Sequence, residues 1–148
     1  MERHGWRILF HPELVRQLSK LEEVRERARR NDPHGFASNA NVKSLQAVNR
    51  AMLEAIPQDP SRAEYWQEKT RGKGYQHWRR AKIGRRFRLF FRYDSKARII
   101  VYAWMNDDRT LRSAKSKTGP YTVFARMLAE GIPPNDWVSL IAGSAQNP

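Results

Sequence analysis

Residues 78–105 contain three short runs in which apolar side chains take alternate positions and cationic side chains take many of the positions between them. The alternation is clearest in the second run, where one parity holds Phe87, Leu89, Phe91 and Tyr93 and the other holds Arg86, Arg88 and Arg92. Successive side chains of a β-strand point to opposite faces of its sheet. The pattern therefore predicts an antiparallel sheet with one dry face and one cationic face that attracts RNA.

The positive charge of the whole chain is concentrated in the same region. The sequence has 28 Lys and Arg against 15 Asp and Glu, and residues 62–117 carry +12 of the formal net charge of +13. Such a surface favours a polyanionic partner and predicts association that weakens as salt rises.

Length and composition predict one domain over residues 1–148, since 148 residues with 40% hydrophobic content suffice for one core and are too few for two. Cys is absent, which fits a reducing compartment, although many exported proteins also lack disulfides. The N-terminal residues carry charge where a signal peptide needs an apolar run, and no stretch approaches the roughly 20 apolar residues of a membrane span. We therefore expect a cytoplasmic protein with no membrane partner.

Periodicity and chain-breaking residues predict an α+β order of elements. The predicted elements are a strand at Trp6–Phe10, helices at 12–30 and 42–56, strands at 77–83, 87–93 and 98–105, a helix at 120–130 and a short helix at 135–141. Residues 58–76 have no clear period, which predicts an irregular basic connection into the sheet.

The hydrophobic pattern also predicts the register of the first hairpin. A three-residue loop places Ile83 opposite Phe87 and Lys82 opposite Arg88, so that the apolar side chains share a face. A two-residue loop would place Lys82 opposite Phe87 and mix the two faces. The longer loop places Arg80, Lys82 and Arg88 together on the other face. Like charges at this spacing repel one another unless an anion lies between them, so the cluster predicts a phosphate site.

The sequence has little that would hold a metal or another cofactor. Asp107 and Asp108 are adjacent in a turn, where carboxylates are usually caps or solvated charges, and the four His are scattered without ligand spacing. No Gly-rich phosphate loop, nucleophile elbow or zinc signature is present. We therefore expect no metal site and no cofactor.

Cationic side chains can cleave RNA without a metal when the 2′-OH of the substrate attacks its own phosphate. The protein must help to remove that proton, stabilise the charged transition state and protonate the leaving 5′-oxygen. Arg suits the second task, because its planar fork grips phosphate oxygens and stays charged. Lys82, crowded by Arg80 and Arg88, is a candidate for proton transfer, and Tyr121 is another. The alternatives are a face that binds RNA without catalysis and, for Tyr121, packing in the core.

Four longer segments resemble the YhaV family of toxin–antitoxin ribonucleases, a branch of the RelE/ParE superfamily. They are WRRAKIG from Trp78, RFRLFFRY from Arg86, WMNDDRTLR from Trp104 and KTGPYTVFARMLAEGIPPNDW from Lys117. The match is strong over about residues 78–137 and weaker in GWRILFHPEL at the N terminus. The resemblance implies a RelE-like α+β fold, in which N-terminal helices pack on one face of a small antiparallel sheet and a C-terminal helix follows it.

The resemblance also implies an activity and partners. A member of this family is expected to be a toxin that cleaves mRNA as a metal-independent endoribonuclease on translating ribosomes. It is expected to be held inactive by a cognate PrlF-type antitoxin, in a complex that binds operator DNA and represses its own operon. The alternative functions are a non-catalytic basic module that binds RNA, the ribosome or DNA, and a ParE-like toxin with another target.

The residues that the resemblance implies for catalysis are Arg80, Lys82, Arg88, Arg112 and Tyr121. Other cations that we expect to bind RNA are Arg79, Arg85, Arg86, Arg92, Arg109, Lys115 and Lys117. The segment between Met105 and Tyr121 is longer than in RelE-type toxins. Either Tyr121 reaches the phosphate, or Arg112 or Lys117 takes its place.

Overall fold

The computed structural model describes residues 1–66, 75–85, 87–106 and 119–146, and these residues form an α+β fold. The strands are β1 (Glu2–Arg3), β2 (Trp6–Phe10), β3 (Arg79–Ile83), β4 (Phe87–Asp94) and β5 (Ile99–Met105). The helices are α1 (Pro12–Asn31), α2 (Ala40–Arg50), α3 (Ile56–Gln58), α4 (Pro120–Ala129) and α5 (Trp137–Ala142). A π-helical turn at Ala51–Ala55 joins α2 to α3, and 3₁₀ turns lie at Phe36–Ser38 and Ala63–Tyr65. The predicted fold class is confirmed. None of the described helices is long and apolar enough to span a bilayer.

The five strands form one sheet in the order β1-β2-β5-β4-β3. The sheet is mixed rather than wholly antiparallel, because β2 runs parallel to β5, with Ile8 opposite Ile100. A parallel pair needs a long crossover connection, and α1 and α2 lie in the chain between these two strands. The parallel pair joins residues about 90 positions apart, and the local pattern that predicted the antiparallel hairpins did not reveal it.

The hairpin of β3 and β4 has the predicted register. Lys82 is opposite Arg88, and Ile83 is opposite Phe87. Gly84 begins the loop with a φ of 61°, a left-handed conformation that Gly adopts without the strain of a Cβ. Because Ile83 and Phe87 are both buried, a slip of one residue would expose them, and burial therefore fixes the register.

The first hydrophobic core lies between one face of the sheet and the N-terminal helices, as predicted. It includes Leu14 and Leu18 of α1, Leu45 and Val48 of α2, and Ile8, Leu89, Phe91 and Tyr102 of the strands. Deep in this core the Tyr102 hydroxyl donates to the Met52 carbonyl at 2.6 Å. Tyr65 packs edge-on against Phe91, with ring centres 5.5 Å apart, and so attaches the turn at Ala63–Tyr65 to the sheet.

A second hydrophobic core fills the centre of the opposite face, which the alternating pattern predicted to be heavily cationic. The ring of Phe124 on α4 lies 4.3 Å from that of Phe90, 5.6 Å from that of Trp104 and 5.0 Å from that of Trp78. Phe90 lies on the same face of β4 as Arg88 and Arg92. The free energy gained by burying its large aromatic ring explains why the centre of this face is covered and not exposed to solvent. Leu140 of α5 completes this core. The cations of this face therefore lie around a dry centre.

Candidate active site

Three of the predicted catalytic cations lie together on one face of the β3–β4 hairpin. Lys82 and Arg88 are directly opposed, and Arg80 precedes Lys82 by two residues on the same strand. Opposed Cβ atoms in an antiparallel pair are about 5 Å apart, so these side chains share one small area. Lys82 is exposed, and Arg80 and Arg88 are half-buried. We call Arg80, Lys82 and Arg88 the basic cluster.

Asn106 fixes the backbone of Arg88. The Arg88 N–H donates to Asn106 Oδ1 at 2.5 Å, and the Asn106 N–H donates to the Arg88 carbonyl at 3.3 Å. Asn106 is fully buried. The Arg88 Nη1 also donates to the Phe87 carbonyl at 2.9 Å, which turns the guanidinium toward the hairpin loop. Asn106 stands in the WMNDDRTLR segment, but no local pattern in the sequence indicates this role.

Gln17 of α1 holds the strand end that carries Asn106. Its amide nitrogen donates to the Met105 carbonyl at 2.5 Å, and its amide oxygen accepts from the Met105 N–H at 3.1 Å. Pairing of β5 with β2 ends three residues earlier, where Tyr102 is opposite Phe10. The side chain of Gln17 thus supplies hydrogen bonds to a part of β5 that extends beyond β2.

Tyr121 lies at the border between the basic cluster and the second core. The Arg80 guanidinium carbon is 5.9 Å from the centre of the Tyr121 ring, and that ring packs edge-on against Phe90 at 5.7 Å. Both predicted roles are therefore compatible with its position: Tyr121 packs in the core and lies beside a cation of the cluster. The Arg80 Nε is buried and makes no hydrogen bond within the described part of the chain.

Two other predicted RNA-binding residues have different positions on the hairpin. Arg85 is exposed in the hairpin loop beside the basic cluster. Arg79 has the parity of Ala81 and therefore lies on the other face of the sheet, where its guanidinium is 5.8 Å from the Tyr93 ring centre. Its Nη1 donates to the Gln76 carbonyl at 2.8 Å. Arg79 is thus separated from the cluster by the sheet.

Arg92, which the sequence predicts to bind RNA, is held by the C-terminal segment. Its Nη1 donates to the Asn135 carbonyl at 2.5 Å, and its guanidinium carbon lies 5.6 Å from the Trp78 ring centre and 5.3 Å from that of Trp137. The Trp78 indole N–H donates to the side chain of Asn135 at 2.8 Å. Burial lowers the pKa of Arg92, and the Asp136 carboxylate opposes that shift. We call this arrangement the Arg92 clamp.

The remaining predicted site residues lie outside the described residues. They are Arg86, Arg109, Arg112, Lys115 and Lys117, and Asp107 and Asp108 are outside as well. Their predicted roles stay predictions. Within residues 1–66, 75–85, 87–106 and 119–146, no group of three or more His, Asp and Glu side chains is placed to hold a metal ion.

A cleft of about 390 Å³ borders the basic cluster. Residues 63–66 line it on one side, and Arg80 and Lys82 line it on the other. Trp66 is 53% exposed at this cleft, which is unusual for so large an apolar side chain. The sequence did not predict the cleft, because residues 58–76 lack periodicity. The available signal was the placing of Tyr65 and Trp66 next to a run rich in Lys and Arg.

Comparison with known proteins identifies the family. The profile of a family described as "Toxin with endonuclease activity, of toxin-antitoxin system" matches residues 8–145. The chain is 39% identical to "Toxin YhaV" of Escherichia coli O6:H1 and 38% identical to "Ribonuclease toxin YhaV" of Escherichia coli K12. Each alignment covers 93% of this chain and 90% of the relative. No solved structure matches significantly. The chain therefore belongs to the YhaV family, whose members are toxins with endonuclease activity in toxin–antitoxin systems.

Proposed function

We propose that this protein is an endoribonuclease that cleaves mRNA on translating ribosomes by metal-independent attack of the 2′-OH on the adjacent phosphate. The observation that carries the proposal is the basic cluster, which places Arg80, Lys82 and Arg88 on one face of the β3–β4 hairpin. A relative with 38% identity is named a ribonuclease, which supports RNA as the target.

The cluster offers a group for each task in this reaction. As the bond between the 2′-oxygen and phosphorus forms and the bond from phosphorus to the 5′-oxygen breaks, negative charge grows on the phosphoryl oxygens. The guanidinium groups of Arg80 and Arg88 stabilise that charge, because they are permanent cations presented on fixed strands. Asn106 holds the backbone of Arg88, so little reorganisation is needed during the reaction.

Two side chains are candidates for moving protons. Lys82 is exposed and stands opposite Arg88, so it can reach a substrate oxygen without leaving the hairpin face. Tyr121 lies beside Arg80. One group takes the proton of the 2′-OH and the other gives a proton to the leaving 5′-oxygen. Arg112 is proposed to complete the set of phosphate ligands, on the strength of the family resemblance alone.

The proposed partners follow from the family and from charge. A formal net charge of +13 favours a polyanionic substrate, and an antitoxin must cover part of the same cationic surface to block it. We propose a PrlF-type antitoxin, a complex with it that binds operator DNA, and action in the cytoplasm, where mRNA is translated.

The test is cleavage of an mRNA during translation in a purified system that contains the protein, with wild type compared with Arg88→Ala. Because translation itself needs Mg²⁺, metal independence is tested in a second arm, in which the same purified mRNA, free of ribosomes, is incubated with the protein and EDTA. Wild type should produce fragments in both arms, faster during translation, and Arg88→Ala should reduce the cleavage rate by about 100-fold or more, the loss typical of one transition-state ligand. Lys43→Ala, which removes an exposed cation from α2, is the matched control and should cleave normally.

The second candidate function is a basic module that binds RNA without cutting it. The exposed loop cation Arg85 and the half-buried Arg88 would serve such binding equally well. Intact message in both arms, together with tight and salt-sensitive binding, would favour this function over the endoribonuclease.

A further inference from the structure

The cleft beside the basic cluster has a preorganised aromatic wall. The Trp66 indole N–H donates to the Ser61 carbonyl at 3.2 Å, which fixes the orientation of the ring. Ser61 is fixed in turn, since its N–H and its hydroxyl both donate to Asp59 Oδ1, at 3.0 and 2.5 Å. Tyr65 is buried against Phe91 and attaches this segment to the sheet. The turn therefore holds a large flat side chain in solvent, although burial would stabilise it.

The charges around the cleft are unevenly placed. Arg80 and Lys82 border one side, whereas Glu64 lies on the same side as Trp66 and pairs with Arg62 at 3.6 Å. A phosphate is attracted to the two cations of the first side, whereas the Glu64 carboxylate of the second side is compensated by Arg62 and offers a phosphate no cation of its own. A nucleotide in this cleft would therefore place its phosphate on Arg80 and Lys82 and its base toward Trp66.

We propose that this cleft binds one unpaired nucleotide of the RNA substrate, next to the scissile phosphate, with its base stacked on Trp66. The inference rests on the proposed function and adds a substrate subsite to it. Proteins that bind single-stranded RNA stack its bases on exposed aromatic rings beside cationic grooves. A cleft of about 390 Å³ falls in the volume range of small-molecule sites.

The subsite has a consequence for substrate choice. A base can stack on Trp66 only when it is unpaired, so cleavage should fall in single-stranded RNA and not inside duplexes. Because every base has a stacking face, Trp66 should add affinity with little preference among the four bases. The Glu64 carboxylate can accept a hydrogen bond from an exocyclic amino group of the base, which would favour bases that carry one.

The test measures RNA binding and cleavage for Trp66→Ala, Trp66→Phe and a matched control. The binding probe is a short single-stranded RNA with 2′-O-methyl riboses, which cannot undergo 2′-OH attack. Trp66→Ala should weaken binding about 5- to 150-fold, as expected for the loss of one stacked base. Trp66→Phe should recover most of it. Val138→Ala, which removes another exposed apolar side chain, on α5, should bind as wild type does.

Kinetics and fluorescence separate stacking from a general loss of fold. Trp66→Ala should raise KM for single-stranded RNA with a smaller change in kcat, because stacking holds the substrate and its transition state alike. Indole fluorescence should fall when wild type binds the probe, and this quenching should largely disappear in Trp66→Phe. Equal melting temperatures for the variants would show that the fold is intact.

Three results would overturn the inference. The first is that wild type cleaves RNA and Trp66→Ala has the same RNA affinity and the same KM as wild type. The second is that Val138→Ala loses as much RNA affinity as Trp66→Ala does. The third is a loss of antitoxin binding in Trp66→Ala with RNA binding unchanged, which would assign the cleft to a protein partner. If wild type cleaves no RNA, the proposed function fails, and the binding of the uncleavable probe still decides the inference.

Discussion

Arg88 and Arg92 lie four residues apart on β4 and have the same strand parity, yet the structure gives them opposite tasks. Arg88 belongs to the basic cluster, whereas Arg92 is enclosed by Trp78, Trp137 and the Asn135 carbonyl. We predict that Arg92→Ala destabilises the fold and leaves catalysis intact in the folded fraction. Arg88→Ala should do the reverse.

The magnitude for Arg92→Ala follows from its contacts. A hydrogen bond from a charged donor contributes about 1.5–3 kcal/mol, and each cation–π contact contributes about 0.5–2 kcal/mol. The Arg92 guanidinium is partly desolvated, as its lowered pKa indicates. Removing it also removes this cost of desolvation, which offsets part of the lost stability. A net loss of about 1–3 kcal/mol is expected. At about 2–4 °C for each kcal/mol in a chain of this size, the melting temperature should fall by about 2–12 °C.

The assay pairs chemical denaturation with RNA cleavage at a temperature where every variant is folded. Arg92→Lys keeps the charge and loses the planar stacking between the two indoles, so its stability should lie between those of wild type and Arg92→Ala. A fully stable Arg92→Ala that has lost cleavage would refute the structural role of Arg92. It would return this side chain to the RNA-binding face that the sequence predicted.

Other predictions concern the cores and pH. Phe124→Ala should cost about 3–5 kcal/mol in the free energy of unfolding, because this ring joins three aromatic side chains of the second core; a loss below 1 kcal/mol would contradict that packing. Tyr102→Phe should cost about 1–3 kcal/mol by leaving the buried Met52 carbonyl without its hydroxyl donor, and an unchanged denaturation midpoint would contradict it. Burial lowers the pKa of His11 from its ordinary 6.5, so the His11 imidazole binds a proton more tightly in the unfolded chain than in the folded protein. The stability that neutral His11 provides should therefore be complete above about pH 6.5 and decline as pH falls below it, whereas His11→Asn, which retains an acceptor for the Glu13 N–H, should flatten this part of the curve.

Local pattern was sufficient to predict the hairpin that carries the basic cluster. Alternation of Ile83, Phe87 and Leu89 with cations predicted both the face and the register. Only one register of the two strands buries all of these apolar side chains on the same face. Pro12 and Pro120 likewise predicted the starts of α1 and α4, since Pro suits the first turn of a helix. These features depend on neighbours within a few residues.

Features that depend on distant segments were missed. The place of Arg92 is decided by Asn135 and Trp137, more than 40 residues away, and strand parity alone could not separate it from Arg88. The second core was missed for the same reason, although the adjacent Phe90 and Phe91 already showed that large apolar side chains occur on both parities. The face of Arg79 was predictable, because adjacent strand residues point to opposite faces and Arg80 belongs to the cluster.

The central claim is that the substrate's own 2′-OH is the nucleophile, activated on a face formed by Arg80, Lys82 and Arg88. Its most direct measurement uses an RNA with a single 2′-deoxyribose at a mapped cleavage site, incubated with wild-type protein and EDTA. The account predicts that cleavage at that bond disappears, while neighbouring sites and the all-ribose control are cut to leave 2′,3′-cyclic phosphate ends. Cleavage at the deoxyribose position, leaving a 3′-hydroxyl and a 5′-phosphate, would contradict the account.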